Sequence, residues 1–376
     1  MECYLDNSAT TKPCQEAVAA AVDAMTEHFG NPSSLHQNGM AAQQLLERAR
    51  KMIADSLRAE SGEIVFTPSG TAANNTAIFG ATARYRSGKI VTSAMEHPSV
   101  EQCMSALETR GFTVVRLHPD KNGHITAEQI AEAVDEQTVL VSLMAVNNEV
   151  GSVLPFSELG RIVRAKKSPA LVHVDAVQGF LKLPIVPKKC GIDLLSVSAH
   201  KVHGLKGAGA LYVRKGVRIK PYLLGGGQEN GLCSGTQPMP AIAAFAAAVR
   251  AYGDGDAYLA HVRALRDRLT QHLSALSGVQ INSPADALPY ILNVSLRGVP
   301  AQVGVNALSE RQVCVSAGSA CSRGHRSAVL TAMGLSPERI DTALRISLSR
   351  ETTETEIDAC ASAVADVLNT IGKKGT

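Results

Sequence analysis

Between residues 63 and 213 the chain alternates short apolar runs with helix-forming stretches, and this alternation limits the fold more than any other feature. Apolar runs at 64–67, 89–93, 113–117, 139–144, 171–174, 194–197 and 210–213 read as strands. Helical patterns lie between most of them, at 72–84, 100–109, 127–134 and 156–166. Strands separated in this way need crossover connections, which produce a mainly parallel sheet covered by helices on both faces. Ligands of such sheets bind beyond the carboxyl ends of the strands, so the residues that follow each strand are the ones to inspect.

The flanking regions follow other rules. Pro13 suits the first turn of a helix over 16–27, which Gly30-Asn31-Pro32 stops, and a longer helix is predicted over 40–57. A helical region over 240–276, broken near Gly253-Asp254-Gly255, reads as a link between two domains. After Gly278 the elements become shorter and mixed, with strands at 291–296, 313–316 and 344–347 and helices at 303–310, 327–333 and 354–371. The predicted division is a large domain over 16–255 and a smaller α+β domain over 256–376. Residues 1–15 are assigned to the small domain and the active site. The fold class is therefore α/β, a mainly parallel sheet of seven-stranded type plus a small α+β domain.

Composition excludes several functions. A hydrophobic content of 45% with 19% charged residues is globular. A net charge of +3 without a Lys/Arg run argues against direct nucleic-acid binding. No apolar stretch reaches membrane-spanning length, and the N-terminus lacks the pattern of a signal peptide. The eight cysteines form no CxxC pair. That argues against a metal site or a disulfide framework and for a reducing, cytoplasmic setting.

Several strand-end residues carry chemistry. Lys201 follows the run ending at Val197 and precedes Gly204, Gly207 and Gly209; a desolvated lysine there suits Schiff-base chemistry, and a solvated loop lysine is the plainer alternative. Ser69-Gly70-Thr71 opens a helix, where free N–H groups either bind a phosphate or are simply capped. Asp175 ends a buried strand and needs a cationic partner, such as a pyridinium nitrogen, unless it caps the next segment. His97, Asn148 and Gln178 lie at matching strand ends. Cys321 sits in a small, polar stretch near Arg323, His325 and Arg326, which could lower its thiol pKa. Arg345 lies inside a strand pattern, where either a substrate carboxylate or a structural ion pair would satisfy it.

Taken together, these stretches resemble the cysteine desulfurases, PLP-dependent enzymes of fold type I in the class V aminotransferase group. The resemblance runs in order through Tyr4-Leu5-Asp6-Asn7-Ser8-Ala9-Thr10-Thr11, Gly30-Asn31-Pro32, Glu96-His97 and Asn147-Asn148-Glu149. It continues through His173-Val174-Asp175, Ser198-Ala199-His200-Lys201, Ser234-Gly235-Thr236 and Gly318-Ser319-Ala320-Cys321. It implies that Lys201 bonds to the aldehyde of pyridoxal 5'-phosphate, that Asp175 meets the ring nitrogen, and that Asn148 and Gln178 lie near the ring hydroxyl. It implies His97 as the imidazole stacked on the ring and a candidate acid–base group. Gly70, Thr71, Ser198 and His200 correspond to the phosphate cradle, with Thr236 lent by the other subunit of a homodimer. Arg345, with Asn148 beside it, corresponds to the substrate carboxylate clamp and Cys321 to the sulfur-accepting nucleophile.

The implied reaction converts L-cysteine to L-alanine and leaves a persulfide on Cys321. The sulfur would supply an iron–sulfur scaffold or another acceptor protein, for cluster assembly or for tRNA or cofactor thiolation. Three departures bear on partner choice, dimer details and turnover. Ala72 replaces a usual glutamate, Cys233 stands where an arginine commonly precedes Ser-Gly-Thr, and the stretch after Cys321 is shorter than in the longer-loop desulfurases. A selenocysteine lyase or a class V aminotransferase is the neighbouring alternative. A catalytically impaired dimeric scaffold is the alternative of another class. A Rossmann dehydrogenase fits poorly, because its Gly-rich loop would follow the first strand.

Overall fold

Burial on both faces explains why the strand runs read as continuous apolar segments. The computed structural model describes residues 2–253, 255–317 and 326–372, apart from the side chain of Asp256. In chain order the first strands are β1 (Cys3–Tyr4), β2 (Ile64–Thr67), β3 (Gly88–Ser93), β4 (Phe112–Leu117) and β5 (Thr138–Met144). They are followed by β6 (Leu171–Asp175), β7 (Leu194–Ser198) and β8 (Gly209–Val213). Every residue of β2, β5 and β7 is buried.

The seven-stranded sheet has the order β2-β8-β7-β6-β5-β3-β4, and only β8 runs against its neighbours. The reason lies in residues 199–208, a connection too short to carry the chain back for a parallel pairing. It turns β8 back beside β7 and holds Lys201 at the carboxyl edge of the sheet. Helix Gly70–Thr82 packs over β7 and β8. That approach needs a bare backbone at Gly209, where a Cβ would lie 2.7 Å from the Ser69 carbonyl carbon and 2.8 Å from the Val197 oxygen.

Helices Gln15–Thr26 and Met239–Tyr252 pack closely through small residues, with Ala17 and Ala21 against Ala244 and Ala248. The second long helix spans Gln37–Ser56, beginning three residues before the predicted 40, because His36 Nδ1 accepts from the Gly39 amide at 3.2 Å and caps it.

The remaining strands are β9 (Val279–Ile281), β10 (Ile291–Leu296), β11 (Val313–Cys314), β12 (Ser316–Ala317) and β13 (Ala343–Ser347). They form an antiparallel sheet β12-β13-β10-β9 and a parallel pair, β1 with β11. The run 313–316, predicted as one strand, is thus divided at Val315: its first half pairs with the N-terminus and its second with β13. The N-terminal segment continues along this region, with Asp6 bridging to Ser347 and the Ser8 amide donating to Ser347 Oγ at 2.9 Å. Among the described residues no helix is long and apolar enough to cross a membrane.

Candidate active site

The N-terminal segment lies against the residues that follow β6 and β7, with Gln178 and Lys201 both donating to the Ser8 carbonyl and the Thr11 amide donating to the His200 carbonyl. Lys201 Nζ donates to the carbonyl oxygens of Ser8 and, at 2.8 Å, of Ala9. No carboxylate forms an ion pair with it among the described residues. Burial, aided by the Arg345 and Lys182 cations, lowers its pKa from 10.5 to about 7, against the opposing pull of Asp6 and Asp175. The amine is therefore available in neutral form near neutral pH, as Schiff-base chemistry requires. Lys182 contributes from a buried position over the Tyr290 ring, 5.1 Å from its centroid, and burial brings its own pKa down to about 8.

Asp175, the last residue of β6, is buried. Its Oδ1 accepts from the Val177 amide at 2.9 Å, so it caps the following turn, and its Oδ2 accepts from Asn74 Nδ2 at 2.8 Å. The same Asn74 nitrogen donates to Ser99 Oγ at 2.9 Å, which lies 2.8 Å from His97 Nδ1. His97 is exposed. Burial of its surroundings lowers its pKa; Asp175 opposes this, and Lys201 and Arg345 add to it. Sequence reasoning missed Asn74 and Ser99. The signal was faint: two short polar residues, each inside the first turns of a helix.

The opposite end of the cleft is built for an anion. Ser69 Oγ caps the Ala72 amide at 3.1 Å, and the Gly70 and Thr71 amides precede it in the first turn of the helix. Ser198 Oγ is buried there without a hydrogen-bond partner, and a Cβ on Gly70 would lie 3.2 Å from Ser198 Cβ. His200 Nδ1 lies 3.1 Å from Thr10 Oγ1, and burial brings its pKa down to about 4. Gln178 donates through Nε2 to the Ser8 carbonyl at 3.0 Å and leaves a buried Oε1 unpartnered. Thr71 and Thr236 are exposed.

Arg345, on β13, reaches the same cleft. It donates through Nη2 to Asp6 Oδ1 at 2.9 Å and through Nη1 to the Asn148 carbonyl at 3.0 Å, while Nε is buried and unpartnered. The structural ion pair is thus present, and Asn148 contributes its backbone. The adjacent Glu149 accepts from Ser327 Oγ at 2.5 Å, and burial pushes its pKa up to about 7. Cys321 lies outside the described residues.

The protein-family model for aminotransferase class V matches residues 3–360. Cysteine desulfurase 2 of Trichormus variabilis is 40% identical over 360 residues, covering 94% of this chain and 90% of that one. Cysteine desulfurase IscS of Methanosarcina thermophila is 39% identical over 371 residues, covering 97% and 91%. The chain belongs to this family. Its cysteine desulfurase members are PLP-dependent enzymes, and the fold is their PLP fold type I. Among solved structures, a NifS-like protein superposes with a TM-score of 0.92 at 37% identity, over 98% of this chain and 100% of that one. SspA in complex with cysteine gives a TM-score of 0.82 at 34% identity, over 94% and 100%.

Proposed function

We propose that this protein is a PLP-dependent cysteine desulfurase that passes sulfur from L-cysteine through a persulfide on Cys321 to an acceptor protein. The observation that carries the reading is the Lys201 amine just beyond β7, held by the Ser8 and Ala9 carbonyls and in no carboxylate ion pair among the described residues, in one site with the buried carboxylate of Asp175.

The residues present fit the cofactor. Lys201 would hold its aldehyde and Asp175 its ring nitrogen, with the Asn74 bond keeping that carboxylate aimed. The orphaned Ser198 Oγ, the Gly70 and Thr71 amides and His200 would hold the phosphate, and the orphaned Gln178 Oε1 would answer a hydroxyl on the ring. Bound there, PLP supplies the electron sink that makes the substrate carbon–sulfur bond breakable.

The chain's own groups do the rest. Arg345 binds the substrate carboxylate through its unpartnered edge, beside Asn148. The freed Lys201 amine takes and returns protons. The Cys321 thiolate attacks the substrate sulfur, forming a sulfur–sulfur bond as the carbon–sulfur bond breaks. The electron pair stays with carbon, which takes up a proton and leaves as alanine. In this division of labour residues 16–255 hold the cofactor, 256–376 carry the nucleophile, and 1–15 complete the site from the small domain.

Dimerisation and destination belong to the same proposal. Thr236 is exposed, which suits a residue lent to a second copy. Val18, Val22 and Met25 expose one face of helix Gln15–Thr26, and Phe29, Leu35 and Leu224 are exposed as well. Such apolar surface suits a homodimer interface. The sulfur would serve iron–sulfur assembly or thiolation in the cytoplasm.

The test is intact-mass analysis after L-cysteine treatment. One added sulfur mapping to Cys321, abolished in Cys321→Ser along with alanine formation while PLP stays bound, is the expected result. Alanine formation undiminished in Cys321→Ser would overturn the persulfide route and favour a lyase acting without this thiol.

A further inference from the structure

In the large sheet the chain leaves β3 outward to β4 through helix Pro98–Glu108, then returns past β3 to β5 through helix Ala127–Ala133. Right-handed crossovers in opposite directions put these helices on opposite faces, and a crevice opens at the strand ends between them. Their neighbours agree, since Pro98–Glu108 packs on Gly70–Thr82 and Ala127–Ala133 on helix Leu159–Ala165. The paired positions of β3 and β5 end at Val91 and Val141. Beyond them, two buried side chains cross between the strand ends in opposite directions. Glu96, from the turn after β3, accepts the Met144 amide of β5 through Oε1 at 3.0 Å. Asn147, from the turn after β5, donates through Nδ2 to the Met95 carbonyl at 3.0 Å.

The remaining contacts of both side chains lie within their own turns. Asn147 Oδ1 accepts from the Glu149 and Val150 amides, both at 2.9 Å, and so folds the backbone around Asn148. Backbone amides only donate and the Met95 carbonyl only accepts, which fixes the two ends of the Asn147 amide. Glu96 Oε1 also accepts from Ser93 Oγ at 2.5 Å. Burial, with the Asp175 and Glu101 charges adding, pushes the Glu96 pKa up to about 8 against its two hydrogen bonds, so the neutral acid prevails near neutral pH. Asn147 is fully buried and Glu96 is 8% exposed, so water is a poor substitute for either bond.

We infer that Asn147 and Glu96 are positioning residues, a reciprocal brace that fixes the turn carrying His97 against the turn carrying Asn148. Neither turn sets that separation alone, because each is closed by its own local bonds. The Asn148 carbonyl in turn holds Arg345 Nη1 at 3.0 Å, so the brace also relates the imidazole to the substrate carboxylate site. What the separation serves rests on the proposed function, whereas the brace itself consists of bonds within the protein.

The deciding variant is Asn147→Asp. It keeps an acceptor for the Glu149 and Val150 amides but turns a carboxylate oxygen toward the Met95 carbonyl, so the turn survives and the cross-link does not. Should that variant fail to fold, Asn147→Ser replaces it, since a serine hydroxyl caps the turn but is too short to reach Met95. Glu96→Ala removes the other bond. Glu96→Gln keeps the accepting oxygen and the neutral charge. In cofactor-free protein, hydrogen–deuterium exchange read by mass spectrometry should quicken at 95–99 as well as at 144–150 in Asn147→Asp and Glu96→Ala. In the holoenzyme the visible circular dichroism of bound PLP should change in the same two variants. Their kcat for alanine formation should fall by about 10-fold or more, as a small misplacement of reacting groups does. Glu96→Gln should stay within about twofold of wild type in kcat, because the bond to Met144 is retained. Wild-type exchange at 95–99 with wild-type dichroism and kcat in Asn147→Asp, even in a less stable protein, would overturn the inference. So would Glu96→Gln behaving like Glu96→Ala. The exchange experiment needs neither cofactor nor turnover, so a wild-type protein that forms no alanine would sink the proposed function and leave the brace standing.

Discussion

Replacing Lys201 by methionine tests the central electrostatic claim without relying on catalysis. An amine with pKa about 7 in the folded protein and 10.5 in the unfolded chain is neutral in one state and protonated in the other across that interval. The shift corresponds to roughly 5 kcal/mol in favour of the neutral amine. Unfolding takes up a proton there, so this group makes stability rise with pH, by about 1.4 kcal/mol per pH unit at most. Lys201→Met removes the uptake. In cofactor-free protein, the stability of wild type relative to the variant should rise by roughly 2 kcal/mol between about pH 7.5 and 9. Other shifted groups, Lys182 among them, are common to both proteins and largely cancel in the difference. Urea unfolding at fixed protein concentration over this pH range supplies the comparison. Parallel stability curves would mean that Lys201 stays protonated in the folded state, and the argument for a ready neutral amine would fail.

Two further substitutions test Arg345 and the buried carboxylate of Glu229. Arg345→Lys keeps the charge and loses the planar fork, so the Michaelis constant for L-cysteine should rise by about 30-fold, the equivalent of roughly 2 kcal/mol. An unchanged Michaelis constant in steady-state alanine assays would reduce Arg345 to its ion pair with Asp6. Glu229 is buried and accepts from Arg50 at 2.6 and 2.9 Å, from the Phe66 amide at 2.7 Å and from Gln237 at 3.1 Å. It thereby braces the segment that presents Thr236. Glu229→Ala should cost roughly 3–5 kcal/mol in denaturant melts, because it leaves the Arg50 charge buried without its main partner.

The extent to which the site could be read in advance follows from which interactions are local. The strands of the large sheet fall within a residue or two of their apolar runs, because burial on both faces leaves a mark in each segment separately. Lys201, Asp175 and His97 stand out as candidates for a related reason, since the parallel-sheet rule directs attention to whatever follows a strand. Where a structural preference depended on a distant segment, the reading ran out. The run 313–316 looked like one strand because nothing in it announces that β1 will claim half and β13 the other half. Arg345 could be read either as a substrate clamp or as half of an ion pair, and the choice of Asp6 lies 339 positions away.

Sequence by itself therefore determined the alternation of elements, their order and the set of strand-end side chains, all of which depend on short-range pattern and chain connectivity. Only the tertiary structure decided how those side chains act on one another. It set Lys182 and Arg345 near the Lys201 amine, brought Asn74 to Asp175 across 101 positions, and joined the turns after β3 and β5 through Glu96 and Asn147. The physical reason is that pKa and hydrogen-bond partner are fixed by distances and directions in three dimensions that a one-dimensional pattern does not contain.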